Sequence, residues 1–327
     1  MFLEQRINAA WYGRAGWLLL LFPLTLLFRL IARLRRSFIA PQPCGAPVII
    51  VGNITVGGSG KTPAVLALAE FCRHRGYRVG IISRGYGGQA PHYPYLLDVG
   101  TEPSIAGDEP CLIARRSGLP VAVSPDRLAA AKLLVEQERC NIIISDDGLQ
   151  HYRLARDIEI LLLDGQRGFG NGFCLPVGPL REPIARASQV DLTIINGGSD
   201  TLRGHTMLLV GETAINLSDG ERRGLSAWPE AERRIHAVAG IGNPSRFFQA
   251  LRSKGFLVIE HAFVDHHAFT AADLYFGDQC PVIMTEKDAV KCAQFNVENC
   301  WVLPVDGEIG SAFYDEFTIL LERLATP

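Results

Sequence analysis

The sequence predicts an α/β fold built on a doubly wound, mostly parallel sheet. Short apolar runs alternate with segments of helical spacing, one such run feeds directly into a glycine-rich loop and helix, and another ends in paired aspartates. The 327 residues are 48% hydrophobic and 20% charged, which excludes wholesale disorder and a polytopic membrane protein and suits about two domains. A net charge of −2 excludes a chain whose main work is neutralising nucleic-acid phosphates, so no nucleic-acid partner is expected.

The first element is a basic, apolar head, residues 1–40. Six arginines (Arg6, Arg14, Arg29, Arg33, Arg35, Arg36) stand against Glu4, a charge of +5 that leaves −7 for the other 287 residues. Ala15 to Phe28 is an uncharged run of 14 residues, short of the roughly 18 to 20 that span a bilayer unaided, and Pro23 interrupts it. Trp11, Tyr12 and Trp17 stand at one end, where amphipathic rings favour the headgroup layer. Arg29, Arg33 and Arg36 then recur at helical spacing. A signal peptide would end in small residues close behind its apolar run, where arginines follow here, and a core helix has no use for four arginines in eight residues. The head is therefore expected to be a membrane anchor or interfacial helix on anionic lipid, with spanning and dipping both open. If it spans, the arginine cluster places everything after it in the cytosol.

Pro41, Pro43 and Pro47 mark the exit from the head, and residues 41–188 read as a nucleotide-binding core. Val48 to Val51 is a buried strand, and Pro63 to His74 a helix that opens with proline near its first turn. Between them, Gly57, Gly58, Ser59 and Gly60 supply a loop whose backbone N–H groups close around phosphate oxygens. Lys61 then neutralises the β/γ oxygens, and the Thr62 hydroxyl holds Mg²⁺. The usual pattern opens with a glycine where Thr55 stands.

Further strands are expected at Arg78 to Ser83, Asn141 to Ser145, Ile158 to Asp164 and Leu192 to Asn196. Asp146 and Asp147 follow the second of these strands. Carboxylates at the carboxyl end of a buried strand face the ligand crevice and the nucleotide's metal; the alternative is a turn that ends the strand. Asp108 and Glu109 precede a helix, where Asp108 also reads as an N-cap. Asp265-His266-His267 suits proton transfer, with a metal pair or an ordinary surface pair as alternatives. Gly165 to Ser188 reads as a long functional loop. Residues 189–327 then form a smaller C-terminal α/β domain, with strands at Ile235 to Gly240, Gly255 to Ile259 and Val282 to Thr285. Eight scattered cysteines without a C-x-x-C pair read as reduced and structural.

Eight segments carry a resemblance, in order: Asn53 to Pro63, Ser83 to Gly88, Gly107 to Pro110, Asp146 to His151, Gly178 to Pro183, Gly240 to Pro244, Asp265 to His267 and Thr285 to Lys291. Together they resemble the tetraacyldisaccharide 4′-kinases of lipid A synthesis in Gram-negative bacteria. The resemblance implies a P-loop NTPase fold with a second, smaller α/β domain and ATP and Mg²⁺ as cofactors. It further implies γ-phosphoryl transfer to the 4′-hydroxyl of a tetraacyldisaccharide 1-phosphate lipid A precursor, at the cytoplasmic face of the bacterial inner membrane. Carried onto this chain, it implies that Lys61 and Thr62 bind phosphate and Mg²⁺, Asp146 with Glu109 completes the metal shell, and Asp108 is the base. It also implies that His266, supported by Asp147, sets that base's charge and position, and that Arg181 and residues 167–172 close over the nucleotide. The head arginines then serve as an anchor or also contact the acceptor's 1-phosphate. The rival is a membrane-associated P-loop ATPase or GTPase acting as a switch or assembly factor. A guanine-specific Asn/Thr-Lys-x-Asp is not matched by Thr285-Glu286-Lys287-Asp288, whose lysine falls one place late, and a switch needs no acceptor base. No protein partner is expected from the sequence.

Overall fold

The structure is a computed structural model that describes residues 2–292, 295 and 297–324. In chain order the first half forms α1 (Phe2–Trp11), α2 (Phe22–Ser37), β1 (Val48–Gly52), α3 (Lys61–His74), β2 (Val79–Ser83), β3 (Tyr95–Leu96), α4 (Pro103–Ala106), α5 (Asp108–Ser117), β4 (Val121–Val123), α6 (Arg127–Gln137), β5 (Ile142–Asp146) and β6 (Ile158–Asp164). The second half forms β7 (Leu192–Asn196), β8 (His205–Val210), β9 (Thr213–Asn216), β10 (Arg222–Gly224), β11 (Arg234–Ala239), α7 (Pro244–Ser253), β12 (Leu257–Ala262), β13 (Val282–Thr285), α8 (Glu286–Cys292), β14 (Cys300–Leu303), β15 (Asp306–Ile309) and α9 (Ser311–Leu324).

Two sheets result. The larger runs β15-β8-β7-β6-β1-β5-β2-β4-β3, parallel from β8 to β4, with antiparallel edges at β15 and β3. Its central strand is a continuous apolar run because both faces are covered. Ile49 and Val51 point to Leu68 of α3 and to Phe313 and Phe317 of α9, while Val48 and Ile50 point to Leu128 and Leu134 of α6. The smaller sheet runs β10-β9-β14-β13-β11-β12, parallel from β14 to β12, with Trp301 and Phe248 fully buried beside it. All eight cysteines are free, seven of them buried.

The changeover expected after residue 188 does not coincide with a sheet boundary. β7 extends the larger sheet beside β6, β8 extends it further, and the chain returns at β15 and α9 to finish the same core. The reason is burial: Phe313, Phe317 and Leu321 on one face of α9 cover the sheet over α3. From sheet membership we propose residues 41–211 with 305–324 as the nucleotide core and 212–304 as the smaller domain.

In the head, a 3₁₀ turn (Gly16–Leu21) runs into α2, giving a helical segment of 22 residues that by length and composition is able to cross a membrane. Pro23 sits in the first turn of α2, where its missing N–H costs nothing, so it does not break the run. One side of this segment is docked on the body. Leu18 packs on Val177, Phe22 meets Phe173 edge-on, and the Thr25 hydroxyl donates to Cys174 O and accepts from Val177 N. The other side is bare apolar surface: Leu20 and Phe38 are each 84% exposed, and Leu24, Leu27, Ile31 and Leu34 lie between them.

Candidate active site

The carboxyl ends of both sheets face one cleft of about 2720 Å³. On the larger sheet, β1 delivers the glycine-rich loop and α3 begins at Lys61. Gly60, at φ +86°, makes the turn into α3 in a left-handed conformation that suits glycine. Two buried amides brace the loop. Asn53 Nδ2 donates to Gly57 O (3.3 Å) and Ser59 Oγ (3.2 Å), and Asn196 Nδ2, from the end of β7, donates to Ser59 O (3.0 Å). The smaller domain lies against the same loop: a Cβ on Gly242 would stand 2.3 Å from the Gly58 nitrogen, and Arg167 Nη1 donates to Gly242 O (2.8 Å). Tyr12, just past α1, donates to Val56 O (3.0 Å) and carries the Arg167 guanidinium over its ring.

Below the loop, Lys61 Nζ lies 3.7 Å from Asp147 Oδ1, and Arg181 Nη1 donates to Asp147 Oδ2 (2.9 Å). Burial pushes the Asp147 carboxyl up, but Lys61 and Arg181 outweigh it and hold it at about 2. Asp146 behaves oppositely. Buried at the end of β5 and close to the Glu109 charge, with Lys61 only partly compensating, it is pushed up to about 7. Its Oδ2 accepts from Ser83 Oγ (3.2 Å), while Oδ1 is buried with no partner. An orphaned carboxylate oxygen beside a phosphate loop, in a cleft also lined by Thr62 and Glu109, is a hard-oxygen donor set that fits Mg²⁺.

The acceptor side is built across the domains. Asp108 is the first residue of α5; Gly107 takes the cap position at φ +90°, so the Asp108 side chain does not cap the helix. Instead Asp108 Oδ2 meets His266 Nδ1 at 3.2 Å and Lys291 Nζ at 3.7 Å. Burial raises the Asp108 carboxyl, but His266, Lys291 and Lys287 together bring it below the usual carboxylate range. Glu109 accepts from Lys287 Nζ (2.9 Å), which also donates to Asp265 Oδ1 (2.9 Å). The adjacent His267 turns away to Asp273 and stacks on Phe263. His266 and Asp147 both sit at positive φ, +62° and +49°, an unusual conformation for residues with side chains.

The structure thus brings Lys61, Asp146 and Asp147 together on one side and Asp108, Glu109 and His266 on the other. It does not pair Asp147 with His266, because Asp147 is taken by Lys61 and Arg181. Arg181 is therefore a brace for Asp147, from which it also reaches Gln150 (3.4 Å). Four further residues had no role in the sequence reading: Asn196, Lys287, Lys291 and Arg127. The buried Arg127 donates to Ser124 O and to Asp146 O (3.4 Å), and burial lowers it to about 10. The two lysines fall within the Thr285 to Lys291 segment, a signal that was present; Arg127 and Asn196 belong to none of the eight segments.

Residues 17–323 match the family described as tetraacyldisaccharide-1-P 4′-kinase. A tetraacyldisaccharide 4′-kinase of Azotobacter vinelandii is 47% identical over 99% of both chains, and one of Hahella chejuensis 45% identical over 97% of both. The crystal structure of LpxK from Aquifex aeolicus in complex with ATP superposes with a TM-score of 0.73 at 28% identity, over 93% of this chain and 98% of that one. A family match over residues 17–323 and full-length relatives at 45–47% identity show that the chain belongs to the tetraacyldisaccharide-1-P 4′-kinase family.

Proposed function

We propose that this chain transfers the γ-phosphoryl group of ATP to the 4′-hydroxyl of a tetraacyldisaccharide 1-phosphate, at the cytoplasmic face of a bacterial inner membrane. The observation that carries the reading is the Asp108–His266 pair: a carboxylate held against a histidine that lines the same cleft as Lys61 and the phosphate loop, which a nucleotide switch would not need.

Phosphoryl transfer asks little covalent help of a protein and much positioning and charge neutralisation. The loop N–H groups and the amino end of α3 hold the nucleotide phosphates, and Lys61 neutralises their outer oxygens. Thr62 and Asp146, with Glu109 at the edge, would hold Mg²⁺, which supplies charge neutralisation to the transferring group. Asp147 sets the Lys61 ammonium in place. Asp108 accepts the 4′-hydroxyl proton as the new P–O bond forms and the β–γ bridge breaks. Its lowered affinity for protons keeps it ionised at neutral pH, and His266 is the positioning residue beside it.

The bare apolar side of α2 suits a lipid acceptor. Docked along its length, the helix is best placed in the plane of the interface, apolar side down, so that acyl chains need not leave the bilayer at about 0.8 kcal/mol per CH₂. The test is incubation with γ-labelled ATP and candidate lipid acceptors in mixed micelles. Label in the disaccharide lipid is expected; label in free phosphate alone would overturn the reading.

A further inference from the structure

Seven of the eight cysteines are packed into apolar clusters, as structural thiols are; Cys280 is not. It is half-buried and stands two residues before β13, at the end of the connection that leaves β12. The donor atoms of Cys280, Asp278 and His236 all lie within 4.8 Å of one another, and none of the three residues lines the cleft. His236, the third residue of β11, is 5% exposed and precedes Asp278 by 42 positions, so only the fold brings this donor set together.

An imidazole buried in a strand needs both ring nitrogens satisfied. His236 Nε2 faces Asp278 Oδ1 at 3.0 Å, and Nδ1 faces His261 Nε2 at 2.8 Å. A neutral ring carries one proton for these two contacts. On Nε2, that proton makes a plain hydrogen bond to Asp278. On Nδ1, it is donated to His261, and the Nε2 lone pair then points at a carboxylate, which calls for a cation between them. The second arrangement is that of a metal-bound histidine, whose other nitrogen donates to an outer partner that fixes the tautomer and the ring plane. Phe276 fixes both rings further: it stacks on His236 with centroids 4.1 Å apart and on His261 at 4.0 Å, and it packs on the apolar cluster of Val238, Val282 and Met284. Asp278 is held too, because its Oδ1 accepts from the Cys280 backbone N–H (3.0 Å), which keeps carboxylate and thiol together.

Nitrogen, sulfur and carboxylate oxygen make a mixed donor set that favours zinc and its neighbours. Mg²⁺ takes oxygen ligands, as in the group of Asp146, Thr62 and Glu109. Bonds of about 2.0–2.3 Å in a tetrahedron set ligand atoms about 3.3–3.8 Å apart, which donors already within 4.8 Å reach by side-chain rotation. We propose that His236, Asp278 and Cys280 bind a divalent transition ion of the zinc type, with His261 as the outer partner of His236 and a fourth position open to water. Binding releases the thiol proton to solvent, and the ion ties β11 to the end of the connection whose beginning carries His266. The site is separate from the cleft and does not depend on the kinase reading.

The test uses the full chain, stripped with a chelator, returned to buffer with excess Mg²⁺ and titrated with Co²⁺ or Zn²⁺. One equivalent of Co²⁺ is expected to bind, with the near-ultraviolet absorption of a thiolate–cobalt bond, and to be displaced by Zn²⁺. Zn²⁺ at about 100 times its Kd should raise Tm by several degrees. Cys280→Ser should abolish the absorption and weaken Zn²⁺ binding at least about tenfold, and His236→Gln should weaken it likewise. Cys280, at the surface, decides the matter even where the buried His236→Gln chain does not fold. His261→Gln should keep the absorption and weaken binding about tenfold, as loss of an outer partner does. Asp146→Asn, in the cleft, should leave both the absorption and the single equivalent in place. No thiolate absorption in the wild type overturns the site, and His236 and Asp278 are then joined by a hydrogen bond alone. Zn²⁺ binding that survives Cys280→Ser and disappears in Asp146→Asn overturns it as well, because the ion would then sit in the cleft.

Discussion

The two halves of the cleft both sit at strand carboxyl ends, yet they are held by different forces. The nucleotide half lies almost wholly within one body: Asn53, Asn196 and Ser83 are buried, and they fix the loop and Asp146 through hydrogen bonds within the larger sheet. The acceptor half exists only where the two bodies meet, through His266–Asp108, Lys291–Asp108 and Lys287–Glu109. Buried hydrogen bonds between rigid elements are insensitive to salt, whereas partly exposed ion pairs are screened by it. On the proposed reading, the nucleotide site is thus built within one body, and the acceptor site is completed only by contacts between the two.

Substituting one member of each half tests that division. Lys61→Ala removes the cation of the nucleotide half and should lower kcat/KM about 10³-fold while weakening ATP binding, measured by fluorescent-nucleotide titration. Asp108→Asn should cost about 10²-fold to 10³-fold in kcat with ATP binding unchanged. If nucleotide affinity falls with it, the halves are not separable. His266→Ala should cost about tenfold and also change the pH profile. His266 is the strongest influence holding Asp108 below the usual carboxylate range, with Lys291 and Lys287 behind it. A base works only when ionised, so without His266 the acid limb of kcat/KM should move to higher pH. A limb that stays in place would show that His266 does not act through Asp108.

The same contrast explains what was legible beforehand. β1, β5 and β6 are dominated by apolar residues because both their faces are largely buried, and a run such as Ile160 to Leu163 announces itself. β15, Asp306–Ile309, is half exposed and carries two acids, so nothing in its residues tells that it closes the first sheet. That missing return is why the sequence reading ended the core at residue 188, ahead of the changeover proposed here from sheet membership. In the site, residues that act through backbone shape at one point of the chain, Gly57 to Thr62 above all, are readable as spacing. Partners far apart in the chain are not: Asp147 stood in the right motif, but its partners are Lys61 and Arg181 rather than His266. Arg127 and Asn196 act singly from unremarkable positions, and only the packing of neighbouring strands brings them to Asp146 and Ser59.

The smallest effect is the sharpest test of how the acceptor half is held. Arg116 lies at the far end of α5 from Asp108, where it donates to Glu286 (2.6 Å), the first residue of α8, and also meets Asp306. Because α8 carries Lys287 and Lys291, Arg116 holds in register the helix that charges the acceptor half, without touching the cleft chemistry itself. Partly exposed pairs of this kind contribute about 0.2–1 kcal/mol, so Arg116→Gln should raise the acceptor KM about twofold to fivefold and leave ATP affinity alone. Added salt should do the same to the wild type and less to the variant, which has lost the screened pair. A variant whose ATP affinity drops, or whose salt response matches the wild type, would mean that the acceptor half is not held through α8 and that the two halves are held alike.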